Sequence, residues 1–142
     1  YFSNEQGSSV TAYVLDPSAG ILTAKQTIST LPSGFTGENT CAQIQIAPSG
    51  EFLYAPNRGH NSIACYSVDA STGQLTSIGN VLTEPIPRAL SLDPQGAFLY
   101  VAGLDSGRLA TYTVDSDSGT LHPLEIQAVG AAPMWVLLLA AT

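Results

Sequence analysis

The hydrophobic residues of this chain fall in short runs separated by Pro, Gly, Asp and Ser, and no segment follows a helical period. In the run Phe52-Leu53-Tyr54 the bulky residues are consecutive, so both faces of that predicted strand should be buried. A sheet with one face in water would instead alternate apolar and polar residues. The pattern therefore predicts an all-β protein whose sheets are stacked on one another.

The same pattern recurs along the chain. Phe52-Leu53-Tyr54 returns as Phe98-Leu99-Tyr100, 46 residues later. An earlier copy lies 53 residues upstream, beginning at Tyr1, and its extra residues fall in the Pro- and Gly-containing loop 31–39. Repeats of about 40–50 residues are typical of β-propeller blades. The 46-residue offset also relates Pro48 to Pro94, Gly50 to Gly96, Tyr66 to Tyr112, Asp69 to Asp115, Gly73 to Gly119, Leu75 to Leu121 and Pro87 to Pro133.

Each repeat is predicted to be a four-stranded antiparallel sheet, or blade, except that the first repeat begins at its second strand. The repeats run roughly over residues 1–41, 42–88 and 89–142. In the middle repeat the strands are predicted at residues 42–47, 51–56, 62–68 and about 74 to 82. A lone strand is predicted at 134–139. Three blades do not close a ring, since propellers have about four to eight. We therefore expect a piece of a longer chain, completed by further blades of the same protein or by self-association.

Composition and charge narrow the possible partners. Four Lys and Arg stand against eleven Asp and Glu, which gives a net charge of −7. That balance disfavours binding to nucleic acid and to anionic membranes. The chain has no CxxC pair, no Cys/His cluster at zinc spacing, no Gly-rich phosphate loop and no Gly-x-Ser-x-Gly motif. We therefore expect neither a metal ion nor another cofactor.

The two cysteines are predicted not to be bonded to each other. Cys41 lies at the entry to the first strand of the middle blade and Cys65 in its third strand. Because the second strand separates them, their backbones should lie about 9–10 Å apart. A disulfide needs Cα atoms closer than about 7 Å. Two buried free thiols fit a reducing compartment, so we expect a cytoplasmic protein.

Antiparallel geometry places the charged residues that do not repeat on one face of the blades. Glu5, Arg58 and Leu104 hold equivalent positions after the second strand of successive blades, and Arg88 lies on the same face. Arg58 and Arg88 are two of only four cationic residues, and guanidinium groups bind carboxylate or phosphate well. We therefore predict a site for an anionic small molecule. The alternatives are an ion pair between blades for Glu5 and Arg58, and an ordinary loop cation for Arg88.

Other residues near these positions have less specific predictions. His60 either lines the same site or caps its loop. Structural roles are predicted for the remainder: turn caps at Asn4 and Asn57, a solvated charge at Arg108, and packing between blades at Met134 and Trp135.

The chain resembles the seven-bladed propeller lactonases, a family that includes the cycloisomerase-type 6-phosphogluconolactonases and the carboxymuconate lactonizing enzymes. The resemblance covers nearly the whole chain and corresponds to the C-terminal two-fifths of such proteins. It is carried by Tyr1-Phe2-Ser3-Asn4-Glu5, by residues 47–54, by Asn57-Arg58-Gly59-His60-Asn61-Ser62-Ile63 and by Pro87-Arg88.

The resemblance implies a hydrolase that opens an anionic sugar lactone, such as 6-phosphogluconolactone. Opening a lactone needs an activated water and a cation at the carbonyl oxygen. Glu5 is the candidate general base, Arg58 the group that stabilises the oxyanion, and Arg88 with His60 the substrate-binding pair. The alternatives are a carboxymuconate cycloisomerase and a propeller that only scaffolds partners. The family's catalytic histidine and a further arginine belong to blades that precede this chain, so these 142 residues alone are expected to be inactive.

Overall fold

The computed structural model describes residues 1–140, and within them the regular structure is entirely strand. The strands are β1 (Phe2–Asn4), β2 (Ser9–Asp16), β3 (Ile21–Ser29), β4 (Thr40–Cys41), β5 (Gln45–Ile46), β6 (Phe52–Arg58), β7 (Ser62–Val68), β8 (Leu75–Leu82), β9 (Pro87–Leu92), β10 (Phe98–Gly103), β11 (Arg108–Val114) and β12 (Leu121–Ala128). None of the described residues belongs to a helix that could cross a bilayer.

The strands form three antiparallel sheets, one for each repeat. The first has the order β1-β2-β3, the second β4-β6-β7-β8 with β5 also paired to β6, and the third β9-β10-β11-β12. Apart from β4, which pairs with β6, strands that are neighbours in a sheet are also neighbours along the chain, as in a propeller blade. The predicted all-β blade architecture is confirmed.

Two predicted strands differ from the observed ones. The strand expected at residues 42–47 is split into β4 and β5, which pair with opposite ends of β6 and leave residues 42–44 between them unpaired. The strand expected at residues 134–139 is wrong, because residues 134–140 pair with no strand in the described part of the chain. An apolar run becomes a strand only where another strand offers it hydrogen-bond partners.

The core lies between the blades. Phe52, Tyr54 and Ile63 of the second blade pack against Leu90 and Leu99 of the third. The opposite face of the second blade carries a second cluster, which includes Leu53 and Tyr66 and reaches the first blade at Val10. Both faces of β6 are therefore buried, which is why its apolar residues are consecutive.

The turn between the third and fourth strands of each blade is built on one aspartate. Asp69 Oδ1 accepts hydrogen bonds from the backbone N–H groups of Ser71 (2.9 Å) and Thr72 (2.8 Å) and from their hydroxyls. These bonds lower the pKa of Asp69 to about 2, with the Ser71 hydroxyl bond the largest cause. The turn closes at Gly73, whose φ of 70° lies in the left-handed region that favours glycine.

Candidate functional site

A cavity of about 510 Å³ lies where the inner parts of the three blades face one another. It brings together the predicted residues Glu5 from the first blade, Arg58 from the second and Arg88 from the third. Two of the four cationic residues of the chain thus line one cavity. Its remaining lining residues are Ser3, Ala42, Gln43, Met134 and Trp135.

The Arg58 guanidinium is held in place by the backbone of the neighbouring strand. Its Nε and Nη2 both donate to the carbonyl oxygen of Cys41, at 3.1 and 2.6 Å. Nη2 also donates to Glu5 Oε1, which makes the ion pair that the sequence left open as an alternative. Arg58 is 12% exposed and Glu5 59%, so the arginine is the fixed member of the pair. Within residues 1–140, Nη1 of Arg58 donates to no protein group.

The residues on either side of Arg58 explain how its backbone is positioned. Asn57 is fully buried, and its side-chain amide bonds Thr30 and Asn39 in the connection from the first blade. The Asn57 side chain therefore links the second blade to the first by hydrogen bonds, a contact we call the Asn57 clasp. The expected role as a simple turn cap is too narrow. Gly59 has φ 153°, and a Cβ atom there would collide with the carbonyl oxygen of Glu38. Only glycine lets the backbone that follows Arg58 pass so close to the backbone at Glu38.

Met134 and Trp135 are in the cavity rather than between blades. Both are exposed, at 52% and 68%, so within residues 1–140 they do not pack between blades. The 46-residue offset does carry a signal for them, because it relates Ala42 to Arg88 and Arg88 to Met134. All three line the cavity. This position of the repeat therefore faces the site at all three of its occurrences in the chain, whatever residue occupies it.

The structure places His60 beside the cavity rather than in its lining. Its Nδ1 lies 2.8 Å from Ser62 Oγ, and its ring meets Phe35 edge to face with centroids 4.9 Å apart. Its backbone N–H donates to Asn39 Oδ1 at 3.1 Å. These contacts organise the loop that follows Arg58.

Two other predictions are decided by the contacts. Arg108 is half exposed, as predicted for a solvated charge, but its Nε also donates to Oε2 of the buried Glu84 at 2.7 Å. Such a carboxylate needs a cation, since an unpaired buried charge is costly.

Cys41 and Cys65 are both buried and unbonded, as predicted. Burial raises the pKa of both thiols, that of Cys65 to about 12. No three His, Cys, Asp or Glu side chains of residues 1–140 come together as a metal site.

The chain is similar to known proteins along nearly its whole length. The family model "Lactonase, 7-bladed beta-propeller" matches residues 1–138. The chain is 39% identical to a 6-phosphogluconolactonase of Pectobacterium carotovorum over 140 residues, which cover 99% of this chain and 42% of that protein. It is 37% identical to a 6-phosphogluconolactonase of Sodalis glossinidius, with the same coverage. The chain therefore spans about two-fifths of the length of the curated relatives that it matches.

Solved structures agree with the fold. A protein from Lactobacillus plantarum superimposes with a TM-score of 0.89 and 31% identity, covering 94% of this chain and 39% of that one. A periplasmic gluconolactonase from Pseudomonas aeruginosa superimposes with a TM-score of 0.85 and 27% identity, covering 93% and 39%.

Proposed function

The chain belongs to the seven-bladed β-propeller lactonase family, and on that basis we propose that its cavity takes part in the hydrolysis of an anionic sugar lactone, with 6-phosphogluconolactone as the substrate. One observation carries this proposal. Glu5, Arg58 and Arg88 come from three different blades and converge on one cavity, in a chain that has only four cationic residues.

In the proposed reaction Glu5 acts as the general base. Its carboxylate takes a proton from a water molecule while the water oxygen attacks the lactone carbonyl carbon. The negative charge that develops on the carbonyl oxygen is stabilised by the Arg58 guanidinium. The tetrahedral intermediate then collapses, the ring C–O bond breaks, and the leaving oxygen takes the proton back from Glu5. Arg88 binds the phosphate group of the substrate, because a guanidinium donates two parallel hydrogen bonds to such an anion.

The contacts of Arg58 support its assignment. Two of its nitrogens are tied to the Cys41 carbonyl, so the charge is positioned before any substrate arrives. A preorganised charge stabilises a transition state without reorganising during the reaction. The ion pair holds Glu5 at the same cavity. His60 serves substrate binding through the loop that it organises, and the two free thiols support a cytoplasmic location.

The test uses the gene product that contains these 142 residues, assayed for hydrolysis of 6-phosphogluconolactone. We expect Glu5→Gln to lower kcat about 10²-fold or more, as for loss of a general base. Arg58→Lys keeps the positive charge but loses the paired N–H donors of the guanidinium. We expect a similar fall in kcat, because a donor to the oxyanion is lost. Arg88→Met should raise KM about tenfold or more with a smaller change in kcat. Lys25→Met, on the exposed outer strand β3, is the matched control cation and should leave both constants unchanged.

Three results would contradict the proposal in different ways. Full activity in Glu5→Gln would reduce Glu5 to a structural partner of Arg58. Lactonisation of a carboxymuconate, with no hydrolysis of the phosphogluconolactone, would assign the cavity to a cycloisomerase. Activity on neither substrate, together with a stable protein partner, would favour an interaction scaffold. The 142 residues alone are expected to show no turnover, because a catalytic arrangement needs groups held rigidly on all sides of the cavity.

A further inference from the structure

A second cavity, of about 620 Å³, adjoins the one that holds Glu5 and Arg88, and Arg58 lines both of them. Every residue that lines it comes from the junction of the first and second blades, so it is built between two blades rather than on an outer face. We call it the loop cavity. Its lining residues are Gln6, Glu38, Asn39, Thr40, Arg58 and Gly59.

One wall of the loop cavity comes from a connection that is longer than its counterpart in the repeat. Residues 30–39 join β3 to β4, whereas residues 83–86 make the equivalent connection from β8 to β9. Glu38 and Asn39 lie in the longer connection and line the cavity. Because the shorter connection is enough to join two blades, the added length is not needed for the fold. Long connections of this kind commonly carry function.

Both walls of the loop cavity are held in place by hydrogen bonds between the blades. Asn39 Nδ2 donates to Ser8 Oγ and to Asn57 Oδ1, both at 3.0 Å. On the other side of the cavity, the backbone N–H of Cys41 donates to the carbonyl oxygen of Glu5 at 2.9 Å and so fixes the residue before Gln6. The cavity therefore has its shape before a ligand arrives, which lowers the entropic cost of binding.

The side chains of the loop cavity suit hydroxyl groups. Gln6 and Glu38 are exposed there, and Thr40 lies directly opposite Arg58 in the pairing of β4 with β6. A carboxylate accepts hydrogen bonds from hydroxyl groups, and amide and hydroxyl side chains both donate and accept. A phosphate group would instead meet the like charge of Glu38. The cavity thus favours a neutral, hydroxyl-bearing part of a substrate.

The lactone proposed above carries such hydroxyl groups beside its reacting carbon. In 6-phosphogluconolactone the carbonyl carbon C1 has the ring oxygen on one side, toward the phosphate arm, and the hydroxyl-bearing C2 on the other. With the carbonyl oxygen at Arg58 and the phosphate at Arg88, C2 lies on the side away from the phosphate, toward the second cavity that Arg58 lines.

We propose that the loop cavity is the subsite for the hydroxyl groups of the lactone. Glu38 accepts the hydrogen bond of the C2 hydroxyl, and Gln6 bonds the next hydroxyl along the ring. This inference rests on the proposed function and adds the residues that distinguish one phosphorylated lactone from another. A site that bonds a substrate hydroxyl discriminates against the analogue that lacks it.

The test compares 6-phosphogluconolactone with its 2-deoxy analogue, using the gene product that contains these 142 residues. Glu38→Ala should raise KM for the first lactone about tenfold with little change in kcat, because the bonded hydroxyl does not react. The unmodified protein should show a similar rise in KM for the 2-deoxy lactone. Glu38→Ala should raise that value no further, since the hydroxyl that Glu38 binds is already missing.

Glu51→Ala is the matched control. Glu51 is an exposed carboxylate just before β6, whereas Arg58 ends that strand, so the same charge is lost at the far end and both KM values should stay unchanged. Neither substitution removes an ion pair of residues 1–140, because the acidic partners in those pairs are Glu5 and Glu84. Both variants are therefore expected to fold.

Four results would overturn the inference. An unchanged KM in Glu38→Ala, in a protein that hydrolyses the lactone, would remove Glu38 from the subsite and leave the proposed function standing. A lower KM would show that Glu38 only repels the phosphate. A tenfold rise for both lactones would place the Glu38 contact away from the C2 hydroxyl. Hydrolysis of neither lactone by the unmodified protein would overturn the proposed function as well.

Discussion

Replacing Asn57 with alanine should destabilise the fold more than the same change at Asn4, its equivalent in the first blade. The Asn57 side chain is fully buried and makes four hydrogen bonds. Its Oδ1 accepts from Thr30 Oγ1 (2.7 Å) and Asn39 Nδ2 (3.0 Å), and its Nδ2 donates to the Thr30 carbonyl oxygen (2.7 Å) and Ser62 Oγ (3.1 Å). These bonds join the second blade to the end of the first.

The magnitude follows from what the partners retain. In Asn57→Ala the Thr30 carbonyl still accepts from Asn80 Nδ2, and Asn39 Nδ2 still donates to Ser8 Oγ. Ser62 Oγ still contacts His60 Nδ1. Because these groups keep a partner, the cost is that of the lost bonds rather than of orphaned polar groups. At about 0.5–1.5 kcal/mol for each bond, we expect a loss of about 3 kcal/mol.

Asn4→Ala is the matched control, because Asn4 holds the equivalent position in the first blade. Its Nδ2 bonds only Ser9 and Thr11 of its own hairpin, so a loss of about 1 kcal/mol is expected. Urea unfolding followed by circular dichroism, at a concentration where the chain is monomeric, measures both variants. The reasoning is refuted if Asn57→Ala costs less than about 1 kcal/mol or no more than Asn4→Ala.

Two further predictions concern titratable groups. Cys41 and Cys65 should react very slowly with a thiol reagent in the native chain, since burial raises the pKa of both thiols. After unfolding without reductant, the reagent should count two thiols, and a count of none would contradict the free-thiol assignment. Because hydrogen bonds lower the pKa of Asp69 from 3.8 to about 2, its contribution to stability is complete above pH 3.8 and is lost as the pH falls to about 2. The urea midpoint should fall over that range, less steeply in Asp69→Asn, and an identical slope in the variant would count against the turn bonds as the cause.

Local sequence patterns predicted the blades, their turns and part of the cavity. The repeat identified the blades, since strand runs and turn residues are chosen by neighbours close in sequence. The aspartate turns and the burial of both faces of β6 follow in the same way. The repeat also showed that Glu5 and Arg58 hold one equivalent position, although one is an acid and the other a base. That difference was enough to nominate them for the cavity.

Contacts between distant residues came only from the tertiary structure. The anchoring of Arg58 on the Cys41 carbonyl, the pairing of Arg108 with buried Glu84, and the clasp at Asn57 depend on how one blade lies against another. Residues 134–139 look like a strand by composition and are unpaired in the fold, because a strand exists only beside a partner. The amino-acid sequence by itself thus determined the repeating unit and the positions in it that face the cavity. Which side chains meet there was decided by the stacking of the blades, since stacking joins groups that no local pattern relates.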